Sequence, residues 1–121
     1  MRHCLIVDDS SVIRKVARRI LEDFDFSVSE AEDGGAALDA CRRSMPDMIL
    51  LDWHLPVMDG LDFLGALRAM DDGRRPKVVF CASEADVAQI ARALRAGADE
   101  YILKPFDRAM VEAKLHEVGM L

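Results

Sequence analysis

Met48-Ile49-Leu50-Leu51-Asp52-Trp53-His54-Leu55-Pro56-Val57-Met58-Asp59-Gly60 is the stretch that decides the fold. Four apolar residues run straight into one aspartate, and a turn sequence containing Pro56 and Gly60 follows at once. An apolar run that short, aliphatic and bounded by turn formers reads as a strand buried on both faces. Asp52 then stands at the strand's carboxyl end, where open α/β sheets place their ligands. A carboxylate at the lip of an apolar strand needs a partner, a metal ion or a function, because an unpaired buried charge is expensive. A turn or capping aspartate is the plain alternative, and this stretch alone does not separate the two.

Outward from it, the chain alternates strand and helix patterns. Cys4-Leu5-Ile6-Val7 is a buried strand ending in Asp8-Asp9, and Ser10-Ser11 can cap a helix carrying Val12, Ile13, Val16, Ala17, Ile20, Leu21 and Phe24 at helical spacing. Arg14, Lys15, Arg18 and Arg19 read as the solvated face of that helix. Phe26 to Ala31 alternates like an edge strand, and Asp33-Gly34-Gly35 turns the chain into a helix with Ala36, Ala37, Leu38, Ala40 and Cys41. Leu61, Phe63, Leu64, Leu67 and Met70 mark a third helix, and Lys77 to Ala82 a fourth strand. A fourth helix is expected from about Glu84 to Ala96, stopped by Gly97 in the left-handed conformation. Glu100-Tyr101-Ile102-Leu103 is a fifth strand running into Lys104-Pro105-Phe106, and Asp107 caps a last helix ending near Val118. Five strands alternating with five helices imply crossover units and a parallel sheet covered on both faces.

Composition narrows the function. A chain of 121 residues, 51% apolar and 31% charged, is expected to make a single domain over 1–121 without an output domain. A net charge of -6 argues against nucleic-acid binding, which needs a dense basic face. No apolar run approaches the ~18 residues of a membrane span and Met1-Arg2-His3 is no signal peptide, so a cytoplasmic protein without membrane contact is expected. Cys4, Cys41 and Cys81 are odd in number and widely spaced, which fits buried reduced thiols rather than a disulfide frame or zinc site. His3 and His116 belong to no visible constellation.

In a parallel sheet the strand carboxyl ends share one edge, which brings together Asp8, Asp9, Asp52 and Lys104. Carboxylates that close repel one another unless a cation neutralises them. Hard oxygen ligands select Mg²⁺, with Mn²⁺ as a substitute. A lysine beside them favours an arriving phosphate.

Asp8-Asp9, the apolar run into Asp52 with Pro56-x-Met58-Asp59-Gly60, and Ala96-Gly97-Ala98-Asp99-Glu100-Tyr101-x-x-Lys104-Pro105-Phe106 resemble the receiver domain of two-component response regulators. The resemblance spans the chain and is nearest the stand-alone, CheY-like chemotaxis type of alphaproteobacteria. It implies a flavodoxin-like fold with strand order 2-1-3-4-5. It further implies that Asp52 accepts a phosphoryl group from a CheA-like histidine kinase or a phosphotransfer protein, assisted by Lys104, which a cis Lys104–Pro105 bond aims into the site. Mg²⁺ would be held by Asp9, Asp52 and the His54 backbone carbonyl, with Asp8 acting through water. The family switches through a hydroxyl at the end of strand four and an aromatic on strand five. The aromatic matches Tyr101, but Ala82 occupies the hydroxyl position, and strand alternation aims the neighbouring Ser83 the wrong way unless the strand has already ended. His54 and Glu84 would flank the water that hydrolyses the phosphoaspartate and so set its lifetime, and Trp53 would form a lid over the pocket.

Val87, Ile90, Leu94, Tyr101, Leu103 and Lys114 fall on the helix-four, strand-five, helix-five face. By resemblance that face binds a flagellar motor switch protein or another target, with helical periodicity requiring some of these residues to be core. A monomer is expected, and no catalysis beyond its own phosphorylation and dephosphorylation. A phosphate sink or phosphorelay shuttle needs the same acceptor without the switch, and Ala82 favours it. A haloacid-dehalogenase-type phosphatase also uses a strand-end Asp and Mg²⁺, but wants a second carboxylate where this chain has His54. A dinucleotide-binding module fails because Gly34-Gly35 does not follow strand one in the required glycine pattern.

Overall fold

Alternating side chains along the central strands divide the apolar residues of this chain between the two faces of one sheet. The computed structural model describes residues 2–83 and 86–121. The elements run β1 (His3–Val7), α1 (Ser11–Asp23), β2 (Ser27–Ala31), α2 (Gly34–Arg43), β3 (Met48–Asp52), α3 (Gly60–Ala69), β4 (Lys77–Ser83), α4 (Val87–Ala96), β5 (Glu100–Lys104) and α5 (Arg108–Glu117). Every strand pairing is parallel, in the order β2-β1-β3-β4-β5. This is the doubly wound, flavodoxin-like arrangement expected, with β2 at an edge.

Leu5, Val7, Ile49, Leu51, Val78, Phe80 and Ala82 face α2, α3 and α4, packing with Leu38, Phe63, Leu64 and Leu67. Their sequence neighbours Cys4, Ile6, Met48, Leu50, Val79 and Cys81 face α1 and α5, packing with Leu21, Phe26, Val111 and Leu115. Burying each large side chain of these layers contributes about 1.5–3 kcal/mol. Each helix opens on a side-chain cap: Ser10 for α1, Asp33 for α2, Asp59 for α3, Asp86 for α4 and Asp107 for α5. Gly97 closes α4 at φ 119°, as its position in the sequence implied.

Several boundaries shift: β1 begins at His3 rather than Cys4, and β5 runs through Lys104. Strand β2 starts at Ser27 rather than Phe26, because the Phe26 N–H donates to the Leu21 carbonyl and its ring is buried beneath α1. Helix α4 starts at Val87 rather than near Glu84; Glu84 itself lies outside the described residues. Strand β4 continues through Ser83, which pairs with Lys104.

One clamp was invisible in the sequence. Arg68, at the end of α3, donates to the Gly97 carbonyl at 3.0 and 2.7 Å, to Gly73 at 3.0 Å and to Pro76 at 2.8 Å. It also pairs with Asp99 Oδ2 at 3.1 Å, and that same oxygen accepts the Val78 N–H at 2.8 Å. The guanidinium therefore ties the end of α3 to the start of β4 and the α4–β5 turn. We predict that Arg68→Ala lowers the unfolding free energy by about 3 kcal/mol, because several carbonyls lose a charged donor. Arg68→Lys recovers little of this, since an ammonium cannot span the same fork. Urea denaturation of the three proteins checks it, and a lysine variant as stable as wild type contradicts it.

Candidate functional site

Strand parity places the charged groups. Asp8 follows Cys4 and Ile6, Asp52 follows Met48 and Leu50, and Lys104 follows Ile102, all on the face toward α1 and α5. Pairing continues one residue past β1, with the Asp8 N–H donating to the Ala31 carbonyl at 3.1 Å. Beyond Asp52 the chain folds back, and the Gly60 N–H reaches the Trp53 carbonyl at 2.9 Å. A methyl group at position 60 would collide with the Asp52 carbonyl, so glycine is required by this close approach. Within the loop, Met58 N–H donates to Pro56 O at 2.7 Å across Val57, whose φ is 69°. Such a γ-turn with positive φ is strained, the more so for a β-branched residue.

Lys104 Nζ bridges the cluster, 2.8 Å from Asp8 Oδ2 and 3.1 Å from Asp52 Oδ1. The other Asp8 oxygen accepts the Ser10 N–H at 2.9 Å, so both oxygens of this 2%-exposed residue are engaged. Asp52 is 9% exposed, whereas Asp9 is open to solvent. Carboxylate oxygens of Asp8, Asp9 and Asp52 lie within 4.8 Å of one another. The Lys104–Pro105 bond is cis, as the resemblance implied. Burial raises the Asp52 carboxyl above its ordinary range, and the Asp8 charge adds to this against the pull of Lys104. Burial works to lower the Lys104 ammonium, but its contacts with Asp8 and Asp52 win and hold it raised.

Three carboxylates and no nitrogen or sulfur donor make a hard oxygen set, which fits a small divalent cation keeping several waters. Asp8, with Ser10 on one oxygen and Lys104 on the other, is the member least free to ligate directly, while Asp9 and Asp52 are less engaged.

The remaining candidates are distributed as follows. His54 is exposed. Trp53 is no lid: its ring meets Phe80 edge-on, with centroids 5.5 Å apart, and braces the loop against the core. Ala82 is buried on the side of Tyr101, while Ser83 has the opposite parity, pairs with Lys104 and is exposed, so the continued strand keeps its hydroxyl off the Tyr101 face. Of the residues on the α4-β5-α5 face, none is fully buried. Val87 is 75% and Leu94 42% exposed, and Ile90, Tyr101 and Leu103 are half-buried against the core. Ala93 is the buried residue of α4 instead. Lys114 sits 4.8 Å from the Tyr101 ring centroid and pairs with Glu100 and Glu117.

All three cysteines are free and buried, and burial raises Cys4 to about 12 and Cys41 to about 11, so neither is a thiolate ligand at neutral pH. His3 is taken up by Ser29 Oγ at 2.8 Å. The sequence places Arg14 on a solvated face, yet its Nη1 donates to the Asp8 carbonyl at 2.7 Å. The available signal was its place in the first turn of α1, four residues past the Ser10 cap and close in sequence to Asp8.

A carboxyl-edge cluster of this kind on a doubly wound sheet defines a class. The chain belongs to the response regulator receiver domain family, whose model matches residues 4–116. It is 36% identical over 115 residues to chemotaxis protein CheY-3 of Vibrio cholerae, covering 94% of this chain and 88% of that protein. To chemotaxis protein CheY of Pseudomonas aeruginosa it is 35% identical, over 94% of this chain and 93% of the other. Among solved structures, chemotaxis response regulator CheY4 of Vibrio cholerae superposes with a TM-score of 0.91 at 29% identity, over 98% of both chains. The receiver domain of sensor histidine kinase PA1611 from Pseudomonas aeruginosa, solved with a magnesium ion coordinated in its active-site cleft, gives 0.88 at 30% identity over 98% of both. The chain is thus a two-component response regulator related to chemotaxis proteins. Among the described residues, no helix is long and apolar enough to cross a membrane.

Because the folded state raises the Asp52 carboxyl, its contribution to stability is full below the unfolded value of about 4 and is lost as pH rises through the folded one. At pH 7 ionised Asp52 is therefore a net cost. We predict that Asp52→Asn, without divalent ions, is more stable than wild type at pH 7 by on the order of 1 kcal/mol. The gap closes as pH falls to about 3. Paired denaturation curves at the two pH values check the sign.

Proposed function

We propose that this chain is a phosphorylation-controlled signalling module in which Asp52 takes a phosphoryl group from the phosphohistidine of a sensor kinase. The observation that carries the reading is the Lys104 ammonium held between Asp8 and Asp52 at the open carboxyl edge. An Asp52 carboxylate oxygen attacks phosphorus as the P–N bond to the donor imidazole breaks. The departing nitrogen keeps the electron pair and takes a proton from solvent. Lys104 stays beside the transferring oxygens and offsets their charge, so positioning and electrostatics supply most of the rate. Asp9, Asp52 and the His54 carbonyl would hold Mg²⁺, with Asp8 acting through water. When bound, that ion supplies further neutralisation of charge on the phosphoryl oxygens. His54, exposed two residues past the acceptor, and Glu84 are assigned the control of water access and hence of phosphoaspartate lifetime.

The signal leaves through α4, β5 and α5, where exposed Val87 and Leu94 give a protein target apolar surface beside Tyr101. A flagellar motor switch protein is the target class that the chemotaxis relatives favour. One observation supports a second reading as a phosphate sink: buried Ala82 offers only a methyl group where a hydroxyl would join the phosphoryl group to Tyr101.

Acetyl phosphate with Mg²⁺ tests the reading, with intact mass as the readout. Wild type gains one phosphoryl adduct and Asp52→Asn gains none while keeping its fold. Lys104→Ala retains Mg²⁺ binding and takes up phosphoryl on the order of 10²-fold more slowly, the usual loss for one preorganised charge. Labelling of Asp52→Asn at the wild-type rate contradicts the site, and sustained turnover of phosphate esters makes the protein a phosphatase instead.

A further inference from the structure

Arg14 lies on α1 but points back to the strand ends. Its Nη1 donates to the Asp8 backbone carbonyl at 2.7 Å and its Nε to Glu30 Oε1 at 2.9 Å, and the side chain is only 16% exposed. The second Glu30 oxygen is held by Arg18 Nε at 2.6 Å. Glu30 is on β2, opposite Ile6 of β1, so the Arg14 guanidinium is fixed from one side by the sheet and reaches the pocket backbone with the other. A surface Arg–Glu pair, even one partly shielded like this, contributes little alone. The carbonyl contact is different, since it holds the peptide joining Asp8 to Asp9.

That peptide matters because of Asp9. Its carboxylate belongs to the oxygen cluster, yet it is exposed and, among the described residues, no donor fixes it. Asp8, by contrast, is fixed by Ser10 and Lys104. The direction in which Asp9 leaves the backbone is therefore set by the orientation of the Asp8–Asp9 peptide.

We propose that Arg14 is a positioning residue for the metal end of the site: by holding the Asp8 carbonyl it aims the Asp9 carboxylate into the cluster. The inference rests on the Mg²⁺ site proposed above and goes further by naming a residue outside it. Charge and position act in opposite directions here. A guanidinium beside acidic ligands repels a divalent cation, so removing it would tighten Mg²⁺ binding if charge were its only influence. A positioning role requires the reverse. It also requires the planar fork, so a lysine cannot replace it.

The test is a Mg²⁺ titration of wild type, Arg14→Gln, Arg14→Lys and Arg18→Gln, followed by Trp53 fluorescence and amide NMR, with thermal midpoints measured in parallel. The expected result is about tenfold weaker Mg²⁺ binding in both Arg14 variants, the scale seen when a partner of a metal ligand is removed. Arg18→Gln, which also loses a contact with Glu30, stays within about twofold of wild type. In the metal-free protein the Asp9 and Ser10 amide signals move in the Arg14 variants and not in Arg18→Gln. Tighter binding by Arg14→Gln, full affinity in Arg14→Lys, or a lowered midpoint with unchanged affinity each overturns the proposal. A wild-type protein indifferent to Mg²⁺ overturns the underlying metal site as well, which separates the two failures.

Discussion

The Lys104 ammonium between the Asp8 and Asp52 carboxylates is the contact on which the carboxyl edge of this sheet depends. Two nearly buried carboxylates side by side repel, and burial penalises each charge separately. One lysine cannot neutralise both as well as Asp9, and Asp52 remains raised despite it. The cluster is thus under-compensated, and it would gain from a further cation. Stability gives no reason to keep such an arrangement, because apolar side chains of similar volume would pack there at less cost. Function does.

The scaffold supplies what the site lacks. Two apolar layers lock the register of β1, β3 and β5, and a one-residue slip in any of them would turn Asp8, Asp52 or Lys104 to the other face. Side-chain caps fix where each helix leaves the same edge, which sets the height of the loops around the pocket. The Gly60 approach to the Asp52 carbonyl and the Val57 γ-turn hold the loop after Asp52 in a shape that free chain would not choose. Arg68 binds the opposite ends of α3, β4 and α4 together, far from the chemistry.

Much of this was legible in the sequence because it depends on short-range patterns. Apolar runs ending in Asp8, Asp52 and Lys104 fixed the strands and their order of charges, and Asp33, Asp107 and Gly97 announced their helix ends. Long polar side chains were less readable. Arg14 and Arg68 sit on helix positions that look solvated, and only tertiary packing reveals the carbonyls they reach. Trp53 is unreadable for the same reason, since its partner Phe80 is distant in sequence. The end of β4 was ambiguous because Ser83 carries no propensity strong enough to stop a strand, and the pairing with Lys104 extends it.

The continued strand sharpens the question of output. With Ser83 on the face of Lys104, opposite Tyr101, and a methyl group at Ala82, Tyr101 lies half-buried against the core with the Lys114 ammonium over its ring. Whether the pocket can still move that ring is decided most directly by adding Mg²⁺ and then beryllofluoride, a mimic of the phosphoryl group, while recording amide spectra of the whole chain. A receiver built as described shows shifts at Asp9, Asp52 and Lys104 with the first addition, and at Tyr101, Ile90 and Leu94 with the second. Shifts confined to the pocket assign it the role of a phosphate sink. Spectra unchanged by either addition would contradict the central reading, leaving the acidic cluster a structural feature and nothing more.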